Sequence, residues 1–349
     1  MVIIITYIRT DANETIATGH VMRCITISKI LKSKGIQVCF VVSDENSTKM
    51  IRQNGYDLIV LNTDWKVLNE KYEYDFFKRI KAEGILIIDT YSATDKYVDT
   101  MSRIFKVAVF DDLFKEYYSA QIIINYNLYY PIFDYYNRYK DVDVKLLLGD
   151  KYVPLRSEFM KIEQNNRDSS RIEKIMMVCG GGDILNSMYK ILTYIRQKKI
   201  QLFMSVEWKI IVGAYNSNIG CLKQLAEEYD NVELKINVNN IAEIMSESNL
   251  CISAASTVLY ECSAMQLPTI FYCTSDDQIY DVKSFGNGRG MLYAGDFRND
   301  EIETINKIVE YLSKLTNDSI DYLNMLDEAK NSVNKNGAEN IVSEIIKLV

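Results

Sequence analysis

The only histidine of the chain, His20, lies in a segment whose residue types suit proton transfer or anion binding. It follows the polar residues Arg9, Thr10 and Asp11 and is preceded directly by Gly19. Histidine as a residue type exchanges a proton near neutral pH. A glycine at the start of a helix lets free N–H groups approach an anion closely. His20 is therefore a candidate general base, with Arg9, Asp11 and Gly19 as candidate ligand contacts. The alternative, equally open from these residues alone, is a histidine that caps the helix or makes a purely structural hydrogen bond.

A run of three glycines forms the second candidate site. Gly180, Gly181 and Gly182 follow an apolar stretch at 174–179 and precede Asp183. A glycine-rich turn between a strand and a helix lets a phosphate approach the backbone. No Gly-Lys-Ser/Thr follows, so this is not a Walker A loop. The alternative is a hinge between domains, with Asp183 as the N-cap of the next helix.

A third block of small and polar residues follows the apolar stretch 249–253, where a helix is predicted to begin at Ser256. Ser256, Thr257 and the free N–H groups of a helix start suit a diphosphate. Glu261, one helical turn later, could accept both hydroxyls of a ribose, and Gln278 follows the next strand in a matching position. The alternative is a packed strand–helix contact in which Glu261 is an ordinary acid.

The elements that must position these residues alternate along the chain. The first series of strands is predicted at 2–8, 37–43, 57–61, 85–89, 105–110 and 121–125, with helices at 20–34, 45–54, 66–83 and 94–102. The second series of strands is predicted near 174–179, 206–213, 232–236, 249–253 and 268–273, with helices at 184–198, 217–229, 240–247, 256–265 and 276–285. Strict alternation of strands and helices predicts parallel sheets covered by helices on both faces.

The predicted fold class is therefore α/β, with two Rossmann-like domains, a cleft between them and a C-terminal helical segment. A polar stretch at 163–172 is interpreted as the linker. The boundaries that follow are 1–162 for the N-terminal domain and 163–349 for the C-terminal domain. Residues 299–349 are helical in pattern and could pack back across the cleft.

The bulk composition excludes several classes of protein. A net charge of −7 over 349 residues argues against nucleic-acid or membrane-surface binding. We find no run of about 18 apolar residues that would predict a membrane span, and residues 2–8 lack the features of a signal peptide. Seven scattered cysteines and one histidine predict no metal site and a cytoplasmic protein with reduced thiols.

Together the three motifs resemble the nucleotide-sugar hydrolases of pseudaminic acid biosynthesis. That family removes UDP from UDP-2,4-diacetamido-2,4,6-trideoxy-β-L-altropyranose, belongs with the spore-coat polysaccharide protein G group and is distantly related to MurG-type glycosyltransferases. The resemblance covers roughly residues 3–285. Besides the glycine run and the block at 249–278, the matching stretches are Arg9 to Asp11, Ile16 to Cys24, Ile87-Ile88-Asp89-x-Tyr91, Phe110-Asp111-Asp112, Leu146 to Gly149 with Tyr152, and Leu155-Arg156-x-Glu158-Phe159.

The resemblance implies a GT-B fold that binds a UDP-sugar substrate, with the nucleotide on the C-terminal domain and the sugar facing the N-terminal domain. It implies attack of water at the anomeric carbon without a metal or other cofactor, and His20 matches the catalytic histidine. On this basis Arg9 and Asp11 would shape the sugar side and Tyr91 would line the cleft. Glycines 180–182, Ser256, Thr257, Glu261 and Gln278 would hold UDP.

Two departures from the family pattern affect the expected substrate. The family often has Asp-His-Tyr-Gly where this chain has residues 89–92 as Asp-Thr-Tyr-Ser, so a second histidine is missing. The family's Gly-Ser-Thr-Ser-Trp-Glu becomes Ser-Thr-Val-Leu-Tyr-Glu at residues 256–261, which keeps the small residues and the acid. Two alternative functions remain: a UDP-sugar-dependent glycosyltransferase on the same fold, and a non-catalytic nucleotide-sugar sensor. The oligomeric state is not predicted by any of these features.

Overall fold

The protein divides into two compact units. The structure is a computed structural model that describes residues 5–16, 18–162, 171–213, 216–238, 240–317 and 319–348. The first unit consists of two segments, the chain up to Arg156 and the chain from Asn334 onward. The second unit spans Ser157–Val333. Most of the predicted linker, residues 163–170, lies outside the described residues. The first boundary falls six residues before the one predicted from the sequence.

The first unit is built on a fully parallel sheet in the order β3-β2-β1-β4-β5-β6-β7. Its strands are β1 (Ile5–Thr10), β2 (Gln37–Val42), β3 (Asp57–Val60), β4 (Gly84–Asp89), β5 (Phe105–Phe110), β6 (Ile122–Asn125) and β7 (Lys145–Leu148). Its helices are α1 (Gly19–Ser33), α2 (Thr48–Gln53), α3 (Glu70–Arg79), α4 (Asp95–Met101) and α5 (Tyr135–Arg138). The central strands are near-continuous runs of buried Ile, Leu and Val, because helices cover both faces of the sheet.

The second unit repeats this architecture in the order β10-β9-β8-β11-β12-β14-β13. Its strands are β8 (Lys174–Val178), β9 (Glu207–Val212), β10 (Val232–Ile236), β11 (Leu250–Ala254), β12 (Thr269–Cys273), β13 (Asn287–Gly288) and β14 (Met291–Asp296). Its helices are α6 (Glu158–Lys161), α7 (Ser187–Lys198), α8 (Ile200–Met204), α9 (Ile219–Glu228), α10 (Ile241–Glu247), α11 (Thr257–Ala264), α12 (Ile279–Phe285), α13 (Glu301–Asn317) and α14 (Ser319–Ala329). All strand pairs are parallel except β13–β14.

The predicted α/β class with two parallel sheets is confirmed, and two local predictions need correction. Strand β1 continues to Thr10, so Arg9 lies within the strand and not in the turn after it. Strand β14 was not predicted, because its half-buried sequence Met-Leu-Tyr-Ala-Gly-Asp is neither a continuous apolar run nor a strict alternation. In the described part of the chain, no helix is both long and apolar enough to cross a membrane.

The C-terminal helix α15 (Gly337–Ile345) belongs to the first unit, which differs from the prediction that all of 163–349 forms the second domain. It packs on α1, and the Asn340 side chain donates to the Lys151 carbonyl over 2.8 Å. A Cβ at Gly337 would lie 2.2 Å from the Val153 carbonyl oxygen, so only glycine allows this close approach. The amphipathic pattern of a helix predicts that it packs, but it carries no information on which sheet it packs against.

Candidate active site

His20 and Asp89 meet at the centre of the carboxyl edge of the first sheet. His20 lies in the first turn of α1, the next helix after β1, and Asp89 is the last residue of β4. Strands β1 and β4 are neighbours, and the chain passes outward through β2 and β3 before it returns to β4. The gap between β1 and β4 is therefore the topological switch point, where open α/β sheets bind ligands.

The His20 imidazole is held by a carboxylate. Its Nδ1 lies 2.6 Å from Asp89 Oδ1, and both side chains are buried. Burial raises the pKa of Asp89, but the charges of Arg23 and His20 outweigh this effect and hold the pKa well below its usual range. The shorter of the contacts at Nδ1 is with this carboxylate, which can only accept when ionised, so we assign the proton to Nδ1 and the acceptor role to Nε2. This is the tautomer that a general base at Nε2 requires.

Arg23, one helical turn after His20, holds Asp89 in place. Its Nε donates to Asp89 Oδ2 over 2.6 Å and its Nη2 donates to Asp89 Oδ1. The same guanidinium donates to Asp112 Oδ2 over 2.8 Å and to the Tyr126 hydroxyl over 2.9 Å. Burial lowers the pKa of Arg23, but Asp112 and Asp89 raise it well above its ordinary value, so the side chain stays charged. The resulting fork fixes the plane of the Asp89 carboxylate.

Tyr91 and Gly19 lie next to the imidazole and are more exposed to solvent than Asp89 and Arg23. The Tyr91 ring stands perpendicular to the imidazole with 4.5 Å between ring centroids, and 43% of the tyrosine is exposed. No atom lies within 4 Å of where a Cβ on Gly19 would stand, so packing inside the protein does not require glycine there. Three predicted site residues, Gly19, His20 and Tyr91, therefore lie together at this edge.

Arg9 and Asp11 lie in a separate, closed network. Arg9 is fully buried and donates to Asp11 over 2.6 Å, to Ser43 over 2.6 Å and to Glu73 over 3.2 Å. Asp11 also accepts the backbone N–H of Ser43 over 2.6 Å, and Tyr97 donates to Glu73. These contacts tie the segment after β1 to the segment after β2. Arg9 and Asp11 therefore hold the loop after β1, and their role in shaping a sugar site stays a prediction.

A second carboxylate with a shifted pKa, Asp111, follows β5. Burial raises its pKa to about 6, against the lowering effect of hydrogen bonds from Tyr135 and from the Phe114 backbone N–H. The unfolded chain binds this proton only below about pH 4. The native state therefore binds more protons between these values, and the stability it gains from the protonated form is lost as pH rises from about 4 to about 6.

Asp111→Asn is expected to increase the free energy of unfolding of the first unit by about 1–3 kcal/mol at pH 7, because a neutral amide avoids the cost of a buried charge. The gain is expected to shrink as pH falls from about 6 to about 4 and to vanish below about pH 4, where the carboxyl is neutral in the native and the unfolded state alike. Urea denaturation at several pH values measures this, with the solvent-exposed Asp141→Asn as the matched control. Equal pH slopes for the two variants would contradict the assignment.

The glycine run lies at the switch point of the second sheet. Strand β8 leads into Gly180, whose φ of +56° is in the left-handed region that favours glycine. A Cβ on Gly180 would stand 4.0 Å from the Ser256 hydroxyl, so the turn after β8 and the turn after β11 are adjacent. A Cβ on Gly213, which follows β9, would lie 2.6 Å from the carbonyl oxygens of Gly180 and Gly181. Gly213 therefore packs against the glycine run and joins the candidate site, although its own neighbours in the sequence do not indicate this.

Asp183 caps the start of α7. Its carboxylate accepts the backbone N–H groups of Ser187 over 2.8 Å and of Met188 over 2.9 Å. The Ser187 hydroxyl donates to the same carboxylate and lies 2.8 Å from the Tyr272 hydroxyl. These contacts support the alternative in which Asp183 caps the next helix. Gly181 and Gly182, on the loop before it, are half-buried.

The other predicted contacts lie on the two turns next to the glycine run. Ser256 caps α11 by accepting the Val258 N–H over 3.3 Å, and Thr257 is exposed in the first turn. Glu261 lies one turn further along α11 and is half-buried. The Gln278 side-chain oxygen accepts from the Thr274 N–H over 2.7 Å, which orders the turn after β12. Each of these residues follows a parallel strand at its carboxyl end.

Three residues complete the His20 site: Asp89, Arg23 and Asp112. No role was predicted for them from the sequence. A signal was present for each of them. Asp89 and Asp112 follow apolar strands, and Arg23 is three residues from His20 on the same helical face. What was missing was the order of the strands, which decides that the ends of β1, β4 and β5 lie side by side.

Comparison with curated proteins confirms the resemblance that the motifs predict. No family model matches the chain. The chain is 27% identical over 257 residues to UDP-2,4-diacetamido-2,4,6-trideoxy-beta-L-altropyranose hydrolase of Campylobacter jejuni, which covers 72% of this chain and 85% of the relative. It is 24% identical over 275 residues to an uncharacterized protein of Methanocaldococcus jannaschii, which covers 75% of this chain. The chain spans about half the length of that archaeal protein, with 54% of it covered.

Comparison with solved structures shows the fold. MurG of Acinetobacter baumannii matches 99% of this chain and 99% of its own, with a TM-score of 0.63 and 13% sequence identity. The chain has the GT-B fold of the MurG-type glycosyltransferases. At this identity the similarity extends to the fold alone, so the chemistry must be argued from the side chains.

Proposed function

We propose that this protein hydrolyses a UDP-linked amino-deoxy sugar, of the UDP-2,4-diacetamido-2,4,6-trideoxyhexose type, to UDP and the free sugar. Such a reaction belongs to nonulosonic (pseudaminic) acid or surface-polysaccharide biosynthesis. The observation that carries the proposal is the buried His20–Asp89 pair, with 2.6 Å between Nδ1 and Oδ1, at the switch point of the first sheet. The resemblance to the Campylobacter jejuni hydrolase supports the substrate class.

His20 acts as the general base. A water molecule gives a proton to Nε2 as its oxygen forms a bond to the anomeric carbon of the sugar. The bond between that carbon and the β-phosphate oxygen breaks, and the electron pair leaves with UDP. Asp89 stabilises the imidazolium that forms, since its Oδ1 lies 2.6 Å from Nδ1. UDP is a good leaving group, so one positioned base is sufficient.

The nucleotide is assigned to the carboxyl edge of the second sheet. Glycines 180–182 offer backbone N–H groups to the diphosphate, while Ser256 and Thr257 at the start of α11 add hydroxyls and helix N–H groups. Glu261 accepts from the ribose hydroxyls and Gln278 supplies a further contact. Binding of the nucleotide by these residues involves no proton transfer.

The decisive experiment supplies the purified protein with a panel of UDP-diacetamido sugars in ¹⁸O-labelled water, without any acceptor and with EDTA present. We expect release of UDP and incorporation of the label into the free sugar, because water attacks carbon and not phosphorus. Mass spectrometry of both products measures this. Label in UDP, or a strict need for Mg²⁺, would contradict the mechanism.

A glycosyltransferase is the second candidate, because a glycosyltransferase of Rickettsia africae has a similar fold, with a TM-score of 0.57 and 13% sequence identity. A sugar hydroxyl would then replace water beside His20. In that case UDP release requires an acceptor and the product is a glycoside. A non-catalytic sensor would bind UDP but would form no UDP from a UDP-sugar, with or without an acceptor. Its affinity for UDP would not depend on His20.

Gly213→Ala tests the nucleotide assignment. A methyl group at this position meets the carbonyl oxygens of Gly180 and Gly181 at 2.6 Å and must displace the glycine run. We expect the Kd for UDP to rise about tenfold or more, which corresponds to at least about 1.4 kcal/mol. Isothermal titration calorimetry measures this change.

The matched control for that variant is Gly220→Ala in α9. No atom lies within 4 Å of a Cβ at Gly220, so UDP affinity is expected to stay unchanged and the helix to gain up to about 1 kcal/mol. Unfolding curves establish that both variants keep the native fold. An unchanged Kd for a folded Gly213→Ala protein would place the nucleotide elsewhere.

A further inference from the structure

A cation lies directly beside the proposed base. Arg23 Nη2 is 3.1 Å from His20 Nδ1 and also donates to Asp89. A guanidinium in this position neutralises the Asp89 carboxylate and opposes a positive charge on the imidazole. Arg23 and Asp89 alone would therefore leave little net charge to favour the imidazolium that the proposed reaction forms.

A second buried carboxylate changes this balance. Asp112 Oδ2 accepts from the same Arg23 Nη2 over 2.8 Å, and Asp112 Oδ1 accepts from the Asn127 side chain over 2.9 Å. Two carboxylates then face one guanidinium. With a neutral imidazole the cluster carries one net negative charge, and with an imidazolium it is neutral. With Asp112 present, the imidazolium that the proposed reaction forms leaves no net charge in this buried cluster, whereas without Asp112 the cluster would then carry one net positive charge.

We propose that Asp112 is a positioning residue that acts on His20 through Arg23. It holds Arg23 against Asp89 and offsets the guanidinium charge, so that the Asp89 charge remains available to the imidazolium. The catalytic consequence rests on the proposed function, whereas the effect on His20 ionisation does not. Asp112 itself takes no part in the proton transfer.

Further ionisable groups lie on α1 and on the elements next to it. The ionisable side chains around the imidazole are Asp89, Arg23, Asp112, Cys24, Tyr126 and Tyr91. Arg9 and Asp11, from β1, are paired within the network that includes Glu73. On α15, which packs on α1, Glu344 pairs with Lys347 and Glu339 is exposed. Asp112, two residues after β5, is the second carboxylate that accepts from Arg23.

The single histidine of the chain allows a direct test without substrate. The full-length protein, labelled with ¹⁵N only in histidine, gives one pair of imidazole signals whose titration NMR follows from about pH 5 to pH 8. In Asp112→Asn we expect the midpoint of this titration to move to lower pH by about one unit. Asp112→Glu keeps the charge and is expected to titrate close to the wild-type protein.

Two further variants complete the design. Asp112→Ser is a second neutral variant, for use where Asp112→Asn does not fold, and it is expected to shift the midpoint in the same direction. Asp99→Asn is the control, because Asp99 forms only an exposed pair with Arg103 and is screened by solvent. An unchanged midpoint in a folded neutral Asp112 variant overturns the proposal.

Activity separates this inference from the proposed function. If UDP-sugar hydrolysis occurs, the acidic limb of the kcat–pH profile is expected to move with the NMR midpoint, and kcat is expected to fall about tenfold in Asp112→Asn. If no sugar is hydrolysed but the midpoint shifts as described, the role of Asp112 stands and the proposed function fails. If hydrolysis occurs and the midpoint does not move, only the role of Asp112 fails.

Discussion

Replacing His20 with alanine is expected to slow UDP release by about 10²–10⁴-fold, the usual contribution of a positioned general base. The loss should appear in kcat, because the imidazole takes up a proton only as water attacks. UDP itself is assigned to the second unit, so its Kd is expected to stay within about twofold of the wild-type value. Steady-state kinetics with a UDP-diacetamido sugar and calorimetry with UDP provide the two measurements.

The His20→Ala experiment has a matched control on the same helix. Lys29→Ala changes an exposed residue of α1 and is expected to leave both constants unchanged. His20→Gln keeps a polar side chain but cannot take up a proton, and it is expected to behave like His20→Ala. If either His20 variant turned over substrate at close to the wild-type rate, the base would have to be another group, and the helix-cap alternative would return.

Among the variants described here, Arg23→Met is expected to lower the free energy of unfolding the most, by about 3–5 kcal/mol for the first unit. The substitution leaves Asp89 and Asp112 as buried carboxylates without their shared cation, and removing one partner of a buried ion pair has a cost of this size. Methionine fills much of the same volume, so the loss reflects charge more than packing. Urea unfolding of the variant and the wild-type protein measures the difference.

The pH dependence of this effect follows from Asp89. Its pKa in the native state is well below the ordinary value because Arg23 and His20 outweigh the effect of burial. Its contribution to stability is therefore present above about pH 4 and is lost as pH falls toward the native-state pKa. The cost of Arg23→Met is expected to be largest near neutral pH and to shrink in acid.

Two further proteins make this prediction specific. Arg103→Met removes a cation from an exposed pair with Asp99 and is expected to cost less than about 1 kcal/mol. The double variant Arg23→Met/Asp112→Asn removes one of the two stranded charges and is expected to recover part of the stability. If Arg23→Met were no more costly than Arg103→Met, the buried pairs would contribute little to stability.

Much of the fold and part of the candidate site were predictable from local pattern. Apolar runs such as residues 85–89 and the helical spacing of residues 20–34 identify elements within a few residues. The lone His20 and the glycine run at 180–182 were recognisable because residue type and a turn position coincide. Gly213 was not recognisable, since nothing near it in the chain shows that another loop passes within van der Waals contact.

The sequence by itself determined the alternation of strands and helices, the position of His20 at a strand–helix turn and the resemblance to UDP-sugar hydrolases. These features depend on residue type and on periods of two and 3.6 residues, which are local properties of the chain. The tertiary structure alone decided that Asp89, 69 residues away, faces His20, and that Arg9 is buried in another network. Those contacts depend on which strands pair with one another. Pairing is set by the packing of the whole sheet, so no local pattern encodes it.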